Sequence, residues 1–146
     1  WDAKERIIDW TKTKNLQPHA VPVPSLAAEL IESIIPNEHG WFFPSAKDPS
    51  KPVSHGTLYS FIWRQRDRGV IPHATNRDLR RTFKTLAGKA GVPKEIRDRL
   101  QNHALQDVSS KHYDRWNYMV EKRAGMAKWD KFVRAMLAKK RLKAAA

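Results

Sequence analysis

An apolar stripe near the C-terminal end sets the first condition on how this chain folds. Trp129, Phe132, Val133, Met136 and Leu137 fall at i, i+3, i+4, i+7 and i+8, the repeat of one face of an α-helix. A helix with such a face needs a surface to cover, and the rest of the sequence offers further helices. Ser25 can cap one whose apolar positions include Leu26, Leu30, Ile31 and Ile34, and Pro36 stops it. Ser54 opens a second, with Leu58, Phe61 and Ile62 on one face, Arg64, Arg66 and Arg68 near its end, and Gly69 as terminator. Asn76 or Arg77 begins a third, with Leu79, Phe83, Leu86 and Ala90 at helical spacing and Gly91 as its stop. Pro93 starts a short helix with Ile96 and Leu100 inward. A turn near Asn102 and His103 leads to a helix around 108–115, and then to the striped helix.

Two strand-like runs precede the helices. Arg6-Ile7-Ile8-Asp9-Trp10 and His19-Ala20-Val21-Pro22-Val23 predict a hairpin. Pro22 keeps the second strand at an edge or ends it early. The connection, 11–18, is polar and carries Lys12 and Lys14. Residues 36–53 read as a long loop punctuated by Asn37, Gly40, Pro44, Pro49 and Pro52, with Trp41-Phe42-Phe43 expected to anchor it to the core. The expected fold is α+β, mostly α-helical, with a small β-hairpin near the N-terminus, and one domain over 1–146.

Charge narrows the partners. Residues 1–60 carry 6 Lys+Arg against 7 Asp+Glu, a net of −1, whereas 61–146 carry 22 against 8, a net of +14. Cations concentrated in one half predict a polyanion, above all nucleic acid. No apolar run approaches the ~20 residues of a membrane helix, so no membrane partner is expected. With 0 Cys there is no disulfide and no thiolate metal site. The six histidines show no metal-ligand spacing, no acidic cluster suits magnesium, and no phosphate-binding Gly-x-x-x-x-Gly-Lys-Ser/Thr loop is present. No cofactor is therefore expected, and any phosphate chemistry falls to cations and side chains. A helix-turn-helix fits in part: Ala87-x-x-x-Gly91 is followed by Ile96 and Leu100. That motif usually wants an apolar residue where Arg97 stands, and a slip of one position turns a helix by ~100°.

One set of residues goes further. Arg77-Asp78-Leu79-Arg80-Arg81-Thr82 opens a helix, His103 follows Arg80 by 23 residues, and Tyr113 follows His103 by 10. Lys14 lies in the hairpin loop, with Lys12 as its competitor. This set resembles the catalytic domain of the tyrosine recombinases, or phage integrases, and most of all those of prophages and genomic islands. The family signature is His-x-x-Arg, then Leu-Gly-His, then a nucleophilic Tyr about ten residues on, with a Lys in an upstream β-hairpin. Here these become Arg77-Asp78-Leu79-Arg80, Leu100-Gln101-Asn102-His103, Tyr113 and Lys14. Val21-Pro22-Val23 and Phe43-Pro44-Ser45 match further segments, so the resemblance runs over nearly the whole chain. Type IB topoisomerases share the chemistry, but the surrounding motifs look more like integrases.

The resemblance implies site-specific DNA recombination or integration through a 3′-phosphotyrosine. Tyr113 would be the nucleophile and Arg80 the clamp on the non-bridging oxygens, because guanidinium is planar, permanently charged and bidentate. His103 would donate to a phosphate oxygen or accept the tyrosine proton. Lys14 would protonate the departing 5′-oxygen. Arg77 stands where the family has His; it can support phosphate but cannot act as a base at neutral pH. Arg81 faces elsewhere on the helix and is expected in an ion pair or backbone contact. The implied partners are double-stranded DNA, a tetramer on that DNA and accessory DNA-bending proteins, in the bacterial cytoplasm at the nucleoid. The family's other phosphate-binding Arg lies on a helix upstream of the sheet, so the chain is expected to be an N-terminally truncated piece of the catalytic domain. The rival from another class is a non-catalytic DNA-binding module, either a helix-turn-helix regulator or an inactive recombinase relative.

Overall fold

The computed structural model describes residues 1–11, 13, 18–103 and 116–145. About half of the chain is helical, with one two-stranded antiparallel sheet near the N-terminus. The order is β1 (Ile7–Trp10), β2 (His19–Pro22), α1 (Ser25–Glu32), α2 (His55–Asp67), α3 (Asn76–Lys89), α4 (Lys94–Leu100) and α5 (Met119–Ala145). The fold is thus α+β and mostly helical. The helix expected around 108–115 lies outside the described residues. Two compact units divide the chain, one of Trp1–Glu29 with Lys84–Ala146, the other of Leu30–Phe83.

In the first unit, β1 pairs with β2 from Ile7↔Pro22 to Trp10↔His19. Pro22 ends its strand, where a missing N–H costs least. Trp10 stacks on His19, with ring centroids 5.8 Å apart. Among the described residues, the buried apolar side chains of the core are Ala28, Ala87, Val92, Ile96 and Leu100. α5 lies against α4 and β2, and Gly125 makes the close approach to α4 possible. A Cβ at Gly125 would sit 3.1 Å from both Ile96 Cγ2 and Val92 Cγ1. One turn earlier, buried Lys122 donates from Nζ to the Ala20 carbonyl at 3.0 Å. Burial, and then the charge of Arg99, holds its pKa below the ordinary lysine range. Asp130 of α5 accepts from the Leu26 N–H at 2.8 Å, filling one of the orphan donors of the first turn of α1. Arg134 ties Asp130 to Glu29 at 2.8 and 2.6 Å.

The apolar stripe is covered only in part. Trp129, Phe132 and Val133 are half-buried, and the first two stack at 5.9 Å. Met136 and Leu137 stay 44% and 45% exposed. Length explains the difference. A helix of 27 residues runs about 40 Å at 1.5 Å per residue, while α1 and α4 have 8 and 7 residues. Its deepest packing falls at Lys122 and Gly125, ahead of the stripe.

In the second unit, α2 starts after Ser54 and ends in a Schellman turn. Gly69, at φ +68°, donates to the Arg66 carbonyl, and Val70 donates to that of Gln65. Among its described side chains Ser60, Ile62, Gln65 and Arg66 are half-buried, and the last three share a face that leaves Phe61 exposed, about 100° from Ile62. Leu30 and Leu79, placed inward by spacing, are also exposed, Leu79 at 60%. The loop 36–53 folds on itself and not into a core. Asn37 Oδ1 accepts from the His39 and Trp41 N–H groups, and Trp41 Nε1 donates to the Ser50 carbonyl. Pro44 bridges to Pro52, and Phe43 remains 63% exposed.

Candidate functional site

The arginine pair stands at the start of α3. Asp78 caps the start of the helix: the Thr75 N–H and hydroxyl donate to Asp78 Oδ2 at 2.9 and 2.7 Å. Those bonds, the hydroxyl first, and Arg81 hold the Asp78 carboxyl below the usual carboxylate range. Arg81 donates to Asp78 Oδ1 at 3.3 Å, so it is spent on the cap. Arg77 and Arg80, one turn apart and both exposed, share a side of the helix. A capped helix N-terminus carrying two guanidinium groups favours an anion.

His103 is built by the end of α4. That helix closes with Asn102 at φ +51°, a left-handed position that Asn tolerates better than other residues with a Cβ. Asn102 N–H bonds to the Arg99 carbonyl at 3.2 Å, and His103 N–H bonds to the Asp98 carbonyl at 2.9 Å. This is a second Schellman turn, with Asn at the left-handed position where Gly is most common. In such a turn the residue after the left-handed position lies over the third helical residue from the end. Those two residues are His103 and Asp98. Their side chains meet, with His103 Nδ1 2.9 Å from Asp98 Oδ1.

Lys84, on α3 but within the same unit, reaches the same carboxylate. Its Nζ lies 2.5 Å from Asp98 Oδ1 and 3.3 Å from His103 Nδ1, while Lys94 approaches Oδ2 at 3.6 Å. An ionised carboxylate only accepts, so the 2.9 Å contact to Asp98 draws a proton onto His103 Nδ1, whereas the longer 3.3 Å approach of the donor-only Lys84 ammonium would need a bare Nδ1; the shorter contact sets the tautomer. The Asp98 side chain is 13% exposed. Its pKa is pushed down to about 2, first by the Lys84 hydrogen bond and then by that of His103, against the opposing effect of burial. Next to this cluster, Arg97 Nη1 donates to the Lys84 carbonyl and lies over Gly88, where a Cβ would be 2.6 Å from it. Arg97 is therefore a packing residue between α3 and α4.

Of the five residues that the sequence singles out, Arg77 and Arg80 share one helix side in the second unit, and His103 belongs to the first. Lys14, its competitor Lys12, and Tyr113 lie outside the described residues. The sequence reading missed Asp98 and Lys84. Asp98 had a signal, standing five residues before a His that follows a left-handed Asn; Lys84 had none, because only the packing of α3 on α4 brings it in.

These elements describe a basic, mostly helical α+β protein with exposed guanidinium groups and a carboxylate-held imidazole, side chains suited to an anionic phosphate. Among characterised proteins, the chain is similar to the prophage integrase IntA of Escherichia coli (strain K12), at 25% identity over 137 residues. The match covers 92% of this chain and 32% of that protein, so the chain spans about a third of the length of the relative it matches. The similarity is distant and integrase-like. No family profile matches the chain, and no solved structure matches it. No helix among the described residues is long and apolar enough to cross a membrane.

Proposed function

We propose that the chain carries the catalytic side chains of a tyrosine-type site-specific DNA recombinase, as part of its catalytic domain. The observation that carries the reading is the integrase similarity along 92% of the chain. The net charge of +14 over 61–146, the arginine pair on a capped helix and the imidazole held by Asp98 support it.

In this reading Tyr113 Oη attacks the scissile phosphorus while its proton leaves. The Oη–P bond forms, the P–O5′ bond breaks, and Lys14 gives a proton to the departing oxygen. Arg80 and Arg77 bind the non-bridging oxygens, whose negative charge grows in the transition state; a donor fixed there in advance is worth ~10²–10³ in rate. Arg77 cannot take up a proton, so proton exchange at the phosphate or at Tyr113 falls to His103. The 3′-phosphotyrosine conserves the bond, and resealing by a 5′-hydroxyl needs no nucleotide. The partner is double-stranded DNA, bound as a tetramer with accessory bending proteins in the bacterial cytoplasm at the nucleoid.

Covalent trapping tests this. The full-length product of the gene, incubated with nicked duplex carrying its recombination site, should give a denaturant-resistant adduct. Tyr113→Phe should keep DNA affinity and lose the adduct, while Tyr59→Phe and Tyr118→Phe keep both. Duplex binding with no covalent product from the unaltered protein overturns the reading in favour of a regulator or inactive relative.

A further inference from the structure

We infer that Asp98 is the positioning residue for His103: its carboxylate accepts the Nδ1 proton, fixes the ring and directs proton exchange with the reacting phosphate or tyrosine to Nε2. The role in catalysis rests on the recombinase reading; the hydrogen bond and the tautomer do not.

Three observations converge. First, the pairing is set by the backbone. Asn102 at φ +51° closes the turn that lays His103 over Asp98, so the two side chains meet without a long-range contact. Second, the nearer partner of Nδ1 is an acceptor: Asp98 Oδ1 lies at 2.9 Å, closer than the Lys84 ammonium at 3.3 Å, which could donate only to a bare Nδ1. A neutral imidazole carries one proton, and a carboxylate opposite Nδ1 draws it there, leaving the Nε2 lone pair to accept. When Nε2 takes up a proton, the same carboxylate faces the imidazolium and stabilises it. Third, the acceptor is itself held. Lys84 at 2.5 Å keeps Asp98 ionised and aimed, and Lys94 lies on the other oxygen. The cluster is half-buried: the His103 side chain is 35% exposed and that of Asp98 13%, so water competes weakly for the shared oxygen.

The test has two arms. The first needs no activity. Long-range ¹H–¹⁵N correlation spectra of the 146-residue chain at neutral pH report which ring nitrogen of His103 carries the proton. Unaltered protein should show the Nδ1–H form, and Asp98→Ala should revert to the Nε2–H form that free imidazole prefers. The second arm is single-turnover adduct formation by the full-length protein on nicked DNA. Asp98→Asn, which keeps the shape but loses the charge, should slow it at least about 10-fold, since removing the carboxylate that orients an imidazole costs from ~10 to ~10⁴. DNA affinity should stay within about twofold. Asp98→Glu restores a carboxylate and should recover most of the rate; a loss as large as that of Asp98→Asn would mean that only packing was disturbed, and overturns the proposal. Unchanged tautomer in Asp98→Ala, or unchanged rate in Asp98→Asn, overturns it too. Absence of any adduct from the unaltered protein instead overturns the recombinase reading, and the catalytic role of Asp98 with it, even where the tautomer shifts as expected.

Discussion

Gly125 carries a strong constraint on the first unit, and a leucine there tests it. A Cβ alone would stand 3.1 Å from Ile96 Cγ2, 3.1 Å from Val92 Cγ1 and 3.9 Å from Leu100 Cδ1, against an ordinary carbon contact of ~3.5–4.0 Å. Leucine adds three more carbons where the first already crowds, so α5 has to leave α4. Val92, Ile96 and Leu100, now 3%, 7% and 6% exposed, then regain water. Full burial of such side chains is worth ~1.5–3 kcal/mol each. Losing a third of it across three residues costs about 2 kcal/mol, and overpacking strain adds ~1–3. Gly125→Leu should therefore destabilise the unit by about 3–5 kcal/mol, out of the ~5–15 typical of a domain. Gly125→Ala should stay within about 1 kcal/mol of the unaltered protein, since helix propensity returns ~1 kcal/mol against the tight contact. Gly56→Ala is the control: its Cβ meets only Ser54 Oγ at 3.8 Å, so a gain of ~0.5 kcal/mol is expected. Urea unfolding gives the global numbers, and amide exchange at 96–100 reports the α4 contact itself. A Gly125→Leu protein with unchanged exchange protection in α4 and a shift under ~1 kcal/mol would refute the seating of α5 on α4 through Gly125.

Three further outcomes follow from the same geometry. Asp98 titrates at about 2 in the fold, below its unfolded value of ~3.9, so its stabilisation is complete above ~3.9 and lost as pH falls through 2. The shift corresponds to at most about 2.6 kcal/mol, nearer 1 after solvent screening at Lys84, and Asp98→Asn should flatten the stability–pH curve by that screened amount between pH ~5 and ~2. Asn102 holds φ +51°, so Asn102→Gly should unfold at the same urea concentration or higher, while Asn102→Val should lose ~1–2 kcal/mol. Duplex DNA affinity of the chain should fall with a log–log salt slope steeper than about −4, as contact with five or more phosphates requires; a flat salt response would sink the polyanion reading.

Much of the local structure was legible from residue chemistry. Caps, stops and periods are short-range effects, and so Ser54, Gly69, Asn76 and Gly91 marked the ends of α2 and α3, and Ile96 and Leu100 marked the buried side of α4. Arg77 and Arg80 could likewise be placed one turn apart at a helix start, because four residues fix that relation. Which apolar residues are covered was not legible in the same way. Phe61, Leu79, Met136 and Leu137 have the spacing of a buried face but stand exposed, since spacing defines a face and only a neighbouring element can cover it. The imidazole site divides along the same line. The Asn102 turn brings Asp98 to His103 by local hydrogen bonding, a relation contained in six consecutive residues. Lys84 joins them from another helix, fourteen residues before Asp98, and holds the carboxylate ionised only because α3 packs on α4 with Arg97 lying over Gly88. A sequence pattern encodes what a helix turn places within a few residues; the partner that sets the charge of Asp98 comes from tertiary packing, where distance in space has no counterpart in spacing along the chain.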